Sequence, residues 1–173
     1  MVPVHALEDQ GINRIPAAFA ELLAEQLGLE VETRIIQANV VNHTGASGWE
    51  RMARPPLFAG DVQPGRNYLI VDDFVGQGGT LANLRGHLIA GGGAVLGAAT
   101  LTGKGYSATL DMQPGILVAL RAKHGQELEN WWKQSFGYGF DRLTESEGRY
   151  LLRAEDADTV RTRILAARSE EQR

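Results

Sequence analysis

The sequence predicts an α/β protein: a single domain with a mainly parallel, twisted sheet flanked by helices. Short apolar segments alternate with segments whose apolar residues recur every three or four positions, which is typical of βαβ units. The chain has 173 residues, about the length of one domain, and 43% of them are hydrophobic. We therefore expect one domain over residues 1–173, with a core over about 1–120 and a small variable C-terminal extension, or hood, over about 105–173.

The composition excludes several classes of protein and of site. The chain has no cysteine, which excludes a disulfide framework, a thiolate metal site and a thiol nucleophile. Its formal net charge is −4, which argues against nucleic acid as a partner. No apolar run reaches the roughly 18 residues that span a bilayer, and the first residues lack the pattern of a signal peptide. We expect a cytoplasmic protein that does not enter a membrane.

The first part of the predicted fold consists of a strand, a helix, a second strand and a long loop. Val2–Ala6 is a short apolar run of the kind that forms a buried strand. In Ile15–Leu27 the apolar residues follow a helical period, with a proline in the first turn and a glycine just past the end. Val31–Val41 carries many β-branched residues and predicts a second strand. Residues 42–60 predict a loop, and loops of this length are usually functional or disordered.

The second part continues the alternation of strands and helices. Its strands are again short apolar runs, and its helices show an apolar face or end at a run of glycines. In chain order we predict a strand at Tyr68–Val71, a glycine-rich loop at Phe74–Gly79, a helix at Thr80–Ala90, a strand at Ala94–Leu101, a loop at Gly103–Pro114, a strand at Ile116–Leu120, a helix at Glu127–Phe136 and a charged last helix around Val160–Leu165.

The segment after the third strand predicts a binding site for a sugar phosphate. Ten of the 21 glycines lie between residues 76 and 105. The backbone N–H groups of Gly78, Gly79 and Thr80, at the start of a helix, can bind an anion. The carboxylates of Asp72 and Asp73 would repel a phosphate placed directly on them, but they suit the hydroxyls of a sugar nearby. The competing interpretation is a glycine-rich turn after a buried strand.

Two other nucleotide-binding motifs fit this sequence less well. A Walker A loop needs the pattern G-x-x-x-x-G-K-[ST], which the chain does not contain. A Rossmann fingerprint needs G-x-G-x-x-G, and Leu81 stands where the last glycine should be. A dinucleotide-binding domain therefore remains only a third possibility.

The residues of this site resemble the signature of the type I phosphoribosyltransferase family. That signature is an apolar strand, two acidic residues, a short variable run and a glycine-rich phosphate loop, and Ile70–Asp73 with Gly78–Leu81 match it. The order of elements over residues 1 to about 105 is also similar to the family. Two positions depart from it: Gln77 replaces the first threonine of the phosphate loop, and Gly76 stands where some members carry an acidic residue.

The resemblance implies a phosphoribosyltransferase of nucleotide metabolism, that is, a glycosyltransferase. It would transfer ribose 5-phosphate from phosphoribosyl pyrophosphate (PRPP) to a nitrogen nucleophile such as a nucleobase, and release pyrophosphate. It also implies Mg²⁺ held mainly by the substrate rather than by a protein cage, and a possible homodimer. The residues implied are Asp72 and Asp73 for the ribose hydroxyls, Gly76, Gln77, Gly78, Gly79 and Thr80 for the 5′-phosphate, Gly11, Asn13 and Arg14 for pyrophosphate, His43, Arg51 and Arg54 on a mobile catalytic loop, and Lys104 for the base, with Tyr106 or Trp132 for stacking.

For several of these residues a simpler interpretation stays open. Arg14 can be a solvated residue near a helix start, Lys104 a surface residue in a glycine turn, and the loop charges a means of solubility. The departures at Gly76 and Gln77 favour a second function: a non-catalytic PRPP- or nucleotide-binding regulator, or a DNA-uptake accessory. The segment from His5 to Leu27, together with the arginines before Phe58, resembles competence-associated phosphoribosyltransferase-like proteins, which agrees with this alternative.

Overall fold

The computed structural model of the chain describes residues 1–8, 11–41 and 45–169. In chain order its elements are β1 (Val2–Pro3), β2 (Leu7–Glu8), β3 (Gly11–Ile12), α1 (Ile15–Leu27), β4 (Ile36–Gln37), α2 (Gly48–Ala53), β5 (Phe58–Ala59), β6 (Asn67–Val75), α3 (Gly79–Ala90), β7 (Ala94–Gly103), α4 (Pro114–Phe136), α5 (Glu145–Leu152) and α6 (Ala157–Ser169), with 3₁₀ turns at Gly105–Ser107 and Phe140–Arg142.

These elements form two compact units. The first comprises Met1–Gly45, Pro55–Gly76 and Thr80–Lys104, and the second comprises Ala46–Arg54, Gln77–Gly79 and the residues from Gly105 onward. The first unit contains all the strands and the second contains most of the helices. The mixed α/β class is thereby confirmed, whereas the boundaries of a single domain stay a prediction.

The first unit is built on a parallel sheet of three strands in the order β1-β6-β7. Val2 aligns with Ile70 of β6, and Val71 aligns with Ala99 of β7. Helix α1 packs on one face of this sheet, where Ala20 and Ala24 form a cluster with Met1 and Val71. The sheet is parallel because each pair of its strands is joined by a connection that contains a helix. The prediction of a parallel sheet flanked by helices is confirmed at this level.

Two short antiparallel pairs complete the strands of the first unit. Strand β2 pairs with β3 just before α1, and β4 pairs with β5. The prediction of one long strand at Val31–Val41 is wrong, because only Ile36–Gln37 forms a strand and it does not join the main sheet. Ile35 is buried whereas Ile36 is half exposed, so the apolar residues of this segment are not all buried, as they would be in a central strand of the sheet.

The longest helix of the second unit, α4, includes the segment that was predicted as a strand. Its buried residues Leu120 and His124 lie four positions apart in its first half, and Leu128 and Trp132 do so in its second half, which is the spacing of neighbours on one face of a helix. The strand predicted at Ile116–Leu120 is therefore wrong, since those residues are the first turns of α4. The prediction of a helix at Glu127–Phe136 is confirmed as the second half of α4.

Helix α4 is interrupted at Gly125, whose φ is +74° and whose ψ is 167°. An ion pair spans the interruption: both guanidinium nitrogens of Arg121 that face Glu129 donate to its carboxylate at 2.8 Å. The Glu129 side chain is buried, and the Arg121 hydrogen bonds hold the pKa of its carboxyl below the usual range. Glu129 also accepts a hydrogen bond from the backbone N–H of Phe140. The buried charge of Glu129 is thus paired with Arg121, and this ion pair connects the two halves of α4 across Gly125.

Two helices that were not predicted, α2 and α5, each begin with a capping box. In α2 the Ser47 side chain and Glu50 satisfy each other's backbone N–H groups, and Thr144 and Glu147 do the same in α5. The residues 48–53 predicted as loop are therefore helical. Both patterns are visible in the sequence as Ser or Thr followed three residues later by Glu.

The remaining predictions of elements are close to the structure. Helix α1 has the predicted bounds, with Gly28 as its left-handed C-cap, and the last helix is α6. Strand β6 runs to Val75, four residues beyond its predicted end, and α3 begins at Gly79. Within the described ranges, no helix is long and apolar enough to cross a membrane.

Candidate functional site

The two predicted aspartates lie inside β6 rather than after its end. Because successive side chains of a strand point to opposite faces of the sheet, Asp72 and Asp73 face opposite sides. Asp73 shares its face with Val71, which packs against α1. Their carboxyl groups nevertheless interact, since the charge of Asp73 and a side-chain hydrogen bond with it both contribute to the raised pKa of Asp72.

Asp72 is buried in the first unit, with 6% of its surface exposed. Its Oδ1 accepts a hydrogen bond of 2.9 Å from the backbone N–H of Asp73. Burial raises the pKa of Asp72 to about 8, because the charged form loses its hydration and this hydrogen bond offsets the loss only in part. At neutral pH Asp72 is consequently an uncharged carboxylic acid within the fold.

Asp73 is half-buried and is held by the segment that precedes α1. The Nδ2 of Asn13 donates a hydrogen bond of 2.9 Å to Asp73 Oδ2. The Oδ1 of Asn13 in turn accepts from the backbone N–H of Ile15, at the start of α1. The structure thus brings together Asn13 and Asp73, two of the residues predicted to bind one ligand, near the carboxyl ends of β1 and β6.

The other residues of this unit that were predicted to bind the ligand lie in different elements. Gly11, with φ +118°, belongs to the hairpin β2–β3, whose residues 9 and 10 lie outside the described part. Arg14 is the exposed N-cap of α1 and lines a pocket of about 530 Å³ together with His5 and Gln37. Lys104 is exposed, and its backbone N–H donates to Val75 O at the end of β6.

The glycine-rich turn after β6 is shorter than predicted and spans only residues 76–78. Gly76 and Thr80 belong to the first unit, and Thr80 is already in α3. Gln77, Gly78 and Gly79 belong to the second unit. The roles of these five residues toward a phosphate stay predictions.

Within the second unit, residues 77–79 pack on the start of α5. The Thr144 hydroxyl donates a hydrogen bond of 2.7 Å to the backbone oxygen of Gln77. A Cβ added to Gly79 would lie 2.6 Å from Oε1 of Glu147. The side-chain amide of Gln77 is buried, and among the described residues it has no hydrogen-bond partner. A carboxyl group therefore lies directly beside the backbone that was predicted to receive a phosphate.

Glu147 is an ionisable group that the sequence reasoning missed. Its carboxyl end is enclosed by protein, and burial raises its pKa to about 7, although hydrogen bonds from Thr144 counteract this. A carboxylate beside Gly79 disfavours an added phosphate by charge repulsion, whereas its protonated form can donate a hydrogen bond to one. The capping box that positions Glu147 was the signal that could have found it.

Gly78 has a positive φ of +84°, and its Cβ position is occupied. A Cβ there would lie 2.4 Å from Cδ2 of Leu110. We expect Gly78→Ala to lower the free energy of unfolding by about 2 kcal/mol, the sum of backbone strain and this clash. Gly137→Ala is the control, because its φ is +82° but nothing lies within 4 Å. Urea unfolding followed by circular dichroism measures both; equal losses would contradict the clash.

The cationic residues predicted on a mobile catalytic loop lie in the second unit, apart from His43, which lies outside the described residues. Arg51 is on α2, and its Nε donates to Ala46 O at 3.1 Å. Arg54 is the C-cap of α2, and its NH2 donates to Ala167 O in α6. Both arginines thus bind carbonyl groups of their own unit, and α2 is packed against helices rather than carried on an open loop.

The aromatic residues proposed for stacking differ in exposure. Tyr106 is largely exposed, whereas Trp132 is completely buried in the helical core of the second unit. Trp132 therefore does not stack on a base in this structure. In the described part of the chain, no three His, Asp or Glu side chains cluster so as to hold a metal ion. That Mg²⁺ comes with the substrate stays a prediction.

The comparisons with known proteins give two relatives. No protein-family model matches the sequence. The chain is 45% identical to Protein TraN of Escherichia coli over 170 residues, which are 98% of the chain. It is 44% identical to an uncharacterized protein of Haemophilus influenzae over 89 residues, or 51% of the chain. The matched parts are 38% and 20% of these relatives, so the chain spans less than two-fifths of their length.

The relationship to TraN overturns the prediction of a phosphoribosyltransferase. A relative that matches almost the whole chain at 45% identity carries the name Protein TraN, which names no transferase and no other enzyme. The expected transfer of ribose 5-phosphate, the class of glycosyltransferase and the place in nucleotide metabolism are therefore wrong. The structure also differs from what the motif suggests, because Asp72 and Asp73 lie within β6 rather than in a loop after it.

Proposed function

We propose that this chain is a non-catalytic binding module for a nucleotide or PRPP, and that it serves as a regulator or as an accessory of DNA uptake. A nucleotide and PRPP both contain a ribose 5-phosphate, which is the group that the module would bind. The similarity to competence-associated phosphoribosyltransferase-like proteins supports the accessory role. The match of 98% of this chain to 38% of Protein TraN, whose name designates no enzyme, agrees with a non-catalytic role.

The hydrogen bond between Asn13 and Asp73 carries this proposal. Ligands of parallel α/β sheets bind beyond the carboxyl ends of the strands, and this bond links two segments there. A carboxylate offers about four acceptor positions, of which Asn13 uses one on Asp73. The half-buried Asp73 is thus fixed in place and remains suited to accept a hydrogen bond from a ribose hydroxyl. Mg²⁺ would be carried by the ligand's phosphate oxygens, and the Asp73 carboxylate is a ligand that this ion prefers.

The state of Asp72 supports binding without turnover. Because burial raises the pKa of Asp72 to about 8, its carboxyl group is protonated at neutral pH and contributes no second negative charge next to the sugar. Charge that builds up at the anomeric carbon during phosphoribosyl transfer would therefore be stabilised by at most one of the two aspartates. The departures from the family pattern at Gly76 and Gln77 point in the same direction.

Isothermal titration with a nucleoside 5′-monophosphate and with PRPP, each with Mg²⁺, tests the proposal. We expect the native chain to bind one of them and Asp73→Asn to weaken that binding at least about tenfold, or about 1.4 kcal/mol. The control is Asp61→Asn, which changes an exposed aspartate of the same unit and should leave affinity unchanged. Absence of binding to both ligands would refute the proposal. Release of pyrophosphate with any base would refute its non-catalytic part.

A further inference from the structure

A pocket of about 530 Å³ lies in the first unit, and the proposed function assigns no ligand to it. Four of its lining residues, at positions 14, 17, 18 and 21, share one face of α1. The segment between β1 and β2, strand β3 and strand β4 supply the rest of the lining. Pockets that bind small molecules enclose about 300–1,000 Å³. This pocket is therefore large enough for a ligand of the size of a nucleobase.

Apolar side chains form much of the lining. Ala17 and Ala18 of α1 are small, and they leave the surface of the helix open to a ligand. Ile12 of β3 and Ile36 of β4 also line the pocket, and their side chains are 59% and 49% exposed. A flat ring system bound here would cover apolar surface that is otherwise in contact with water, which favours binding.

Polar groups in the same lining provide both kinds of hydrogen-bonding partner. Arg14 and Glu21 are exposed and lie seven residues apart on α1, or about 10 Å along the helix. Arginine can only donate hydrogen bonds, whereas an ionised glutamate can only accept them. The ring of His5 contributes a nitrogen, Nδ1, that is shielded from solvent and has no partner among the described residues. The ligand that fits is thus a ring system with donors and acceptors at its edge.

The pocket begins next to the contact between Asn13 and Asp73. Asn13 donates its hydrogen bond to Asp73, and the two residues beside it in the chain, Ile12 and Arg14, both line the pocket. Consecutive Cα atoms are about 3.8 Å apart. A sugar held at Asp73 and a ring attached to that sugar are therefore within the span of a single nucleotide.

We propose that this pocket holds the base of a purine nucleotide whose ribose is bound at Asp73; this assignment rests on the proposed function. A purine has two apolar faces, and its edge carries nitrogens that accept hydrogen bonds and amino or ring N–H groups that donate them. Arg14 suits the acceptors and Glu21 the donors. Their spacing along α1 suits two fused rings better than one. PRPP has no base to fill the pocket, so the pocket favours a nucleotide over PRPP.

Isothermal titration in the presence of Mg²⁺ compares AMP, GMP and UMP with ribose 5-phosphate, which lacks a base. We expect AMP or GMP to bind at least about tenfold more tightly than ribose 5-phosphate, because the pocket removes the faces of the base from water. UMP, with its smaller base, should bind less tightly than that purine nucleotide. UMP that binds more tightly than both AMP and GMP contradicts the assignment to a purine.

A ring placed in the pocket by substitution tests where the base lies. Ala18→Phe changes an exposed position of α1 and should abolish the advantage of the nucleotide, while the affinity for ribose 5-phosphate stays unchanged. The matched control is Leu22→Phe, because Leu22 is 64% exposed on the same helix and is not among the described residues that line the pocket. The control should bind all four ligands as the native chain does.

Asp73→Asn distinguishes a failure of the base pocket from a failure of the proposed function. This variant should weaken the binding of ribose 5-phosphate and of the nucleotide alike, whereas Ala18→Phe should weaken only that of the nucleotide. If ribose 5-phosphate binds and no nucleotide binds more tightly, the base pocket is refuted while the proposed function stands. Equal affinities of Ala18→Phe and Leu22→Phe for the nucleotide also refute it. If none of the ligands binds, the base pocket and the proposed function are both refuted.

Discussion

Replacing Trp132 by alanine should lower the free energy of unfolding by about 3–5 kcal/mol. The indole is completely buried, and it belongs to the helical core of the second unit. Its ring centroid lies 4.4 Å from that of Phe136 and 6.0 Å from that of Phe140. Removing it leaves a cavity between rings that are held by two segments, α4 and the 3₁₀ turn that follows it, and such constrained rings collapse into the space only in part.

Urea unfolding followed by far-ultraviolet circular dichroism measures the loss at Trp132. The matched control is Trp131→Ala: the two tryptophans are adjacent on α4, but Trp131 is only partly buried and lies at the margin of the same core. We expect the control to lose about 1–2 kcal/mol, in proportion to the smaller area it buries. Equal losses for the two variants would show that Trp132 has no special place in the core.

The second large effect concerns the pH dependence of stability at Asp72. Its carboxyl has a folded-state pKa of about 8, above the ordinary value of 3.8. At a pH between these two pKa values, the folded chain holds a proton that the unfolded chain has released. The stability that the protonated carboxyl contributes is therefore complete below about pH 4 and is lost as the pH rises toward 8. Each unit of pKa difference corresponds to about 1.4 kcal/mol.

We therefore expect Asp72→Asn to remove this loss. The amide is close in shape to the protonated acid and stays uncharged at every pH. Relative to the native chain, the variant should be more stable at pH 8 than at pH 4.5 by at least about 2 kcal/mol. The change in free energy of unfolding between these pH values is the measurement, and Asp61→Asn at an exposed position is the control. Parallel pH profiles for the native chain and Asp72→Asn would mean that Asp72 is ionised in the fold.

Local signals in the sequence predicted the elements that depend on local interactions. Helix α1 has the predicted bounds because a helical apolar period, a proline near its start and a glycine after its end all agree. The strand predicted at Ile116–Leu120 failed because a run of five apolar residues fits a strand and a helix equally well. The spacing of four that continues through Leu128 and Trp132 decides between them, and it emerges only over a longer window.

The geometry of the candidate site could not be predicted from the sequence, for a different reason. The pair Asp72-Asp73 is visible as a motif, but its chemistry depends on where the strand ends. Because β6 runs two residues past the pair, both aspartates are strand residues, of which Asp72 is buried and Asp73 is half-buried. The contact of Asn13 with Asp73 and of Gly79 with Glu147 joins positions far apart in the chain, and neither follows from local propensity.

The bond between Asn13 and Asp73 also has a consequence for how the protein comes to be folded. Its partners are 60 positions apart, so it closes a long loop, and the entropy of that closure must be met by contacts elsewhere in the sheet. During synthesis the segment before α1 leaves the ribosome well before β6 exists. The contact between Asn13 and Asp73 therefore forms only once β6 is available, after the local elements that precede it in the chain.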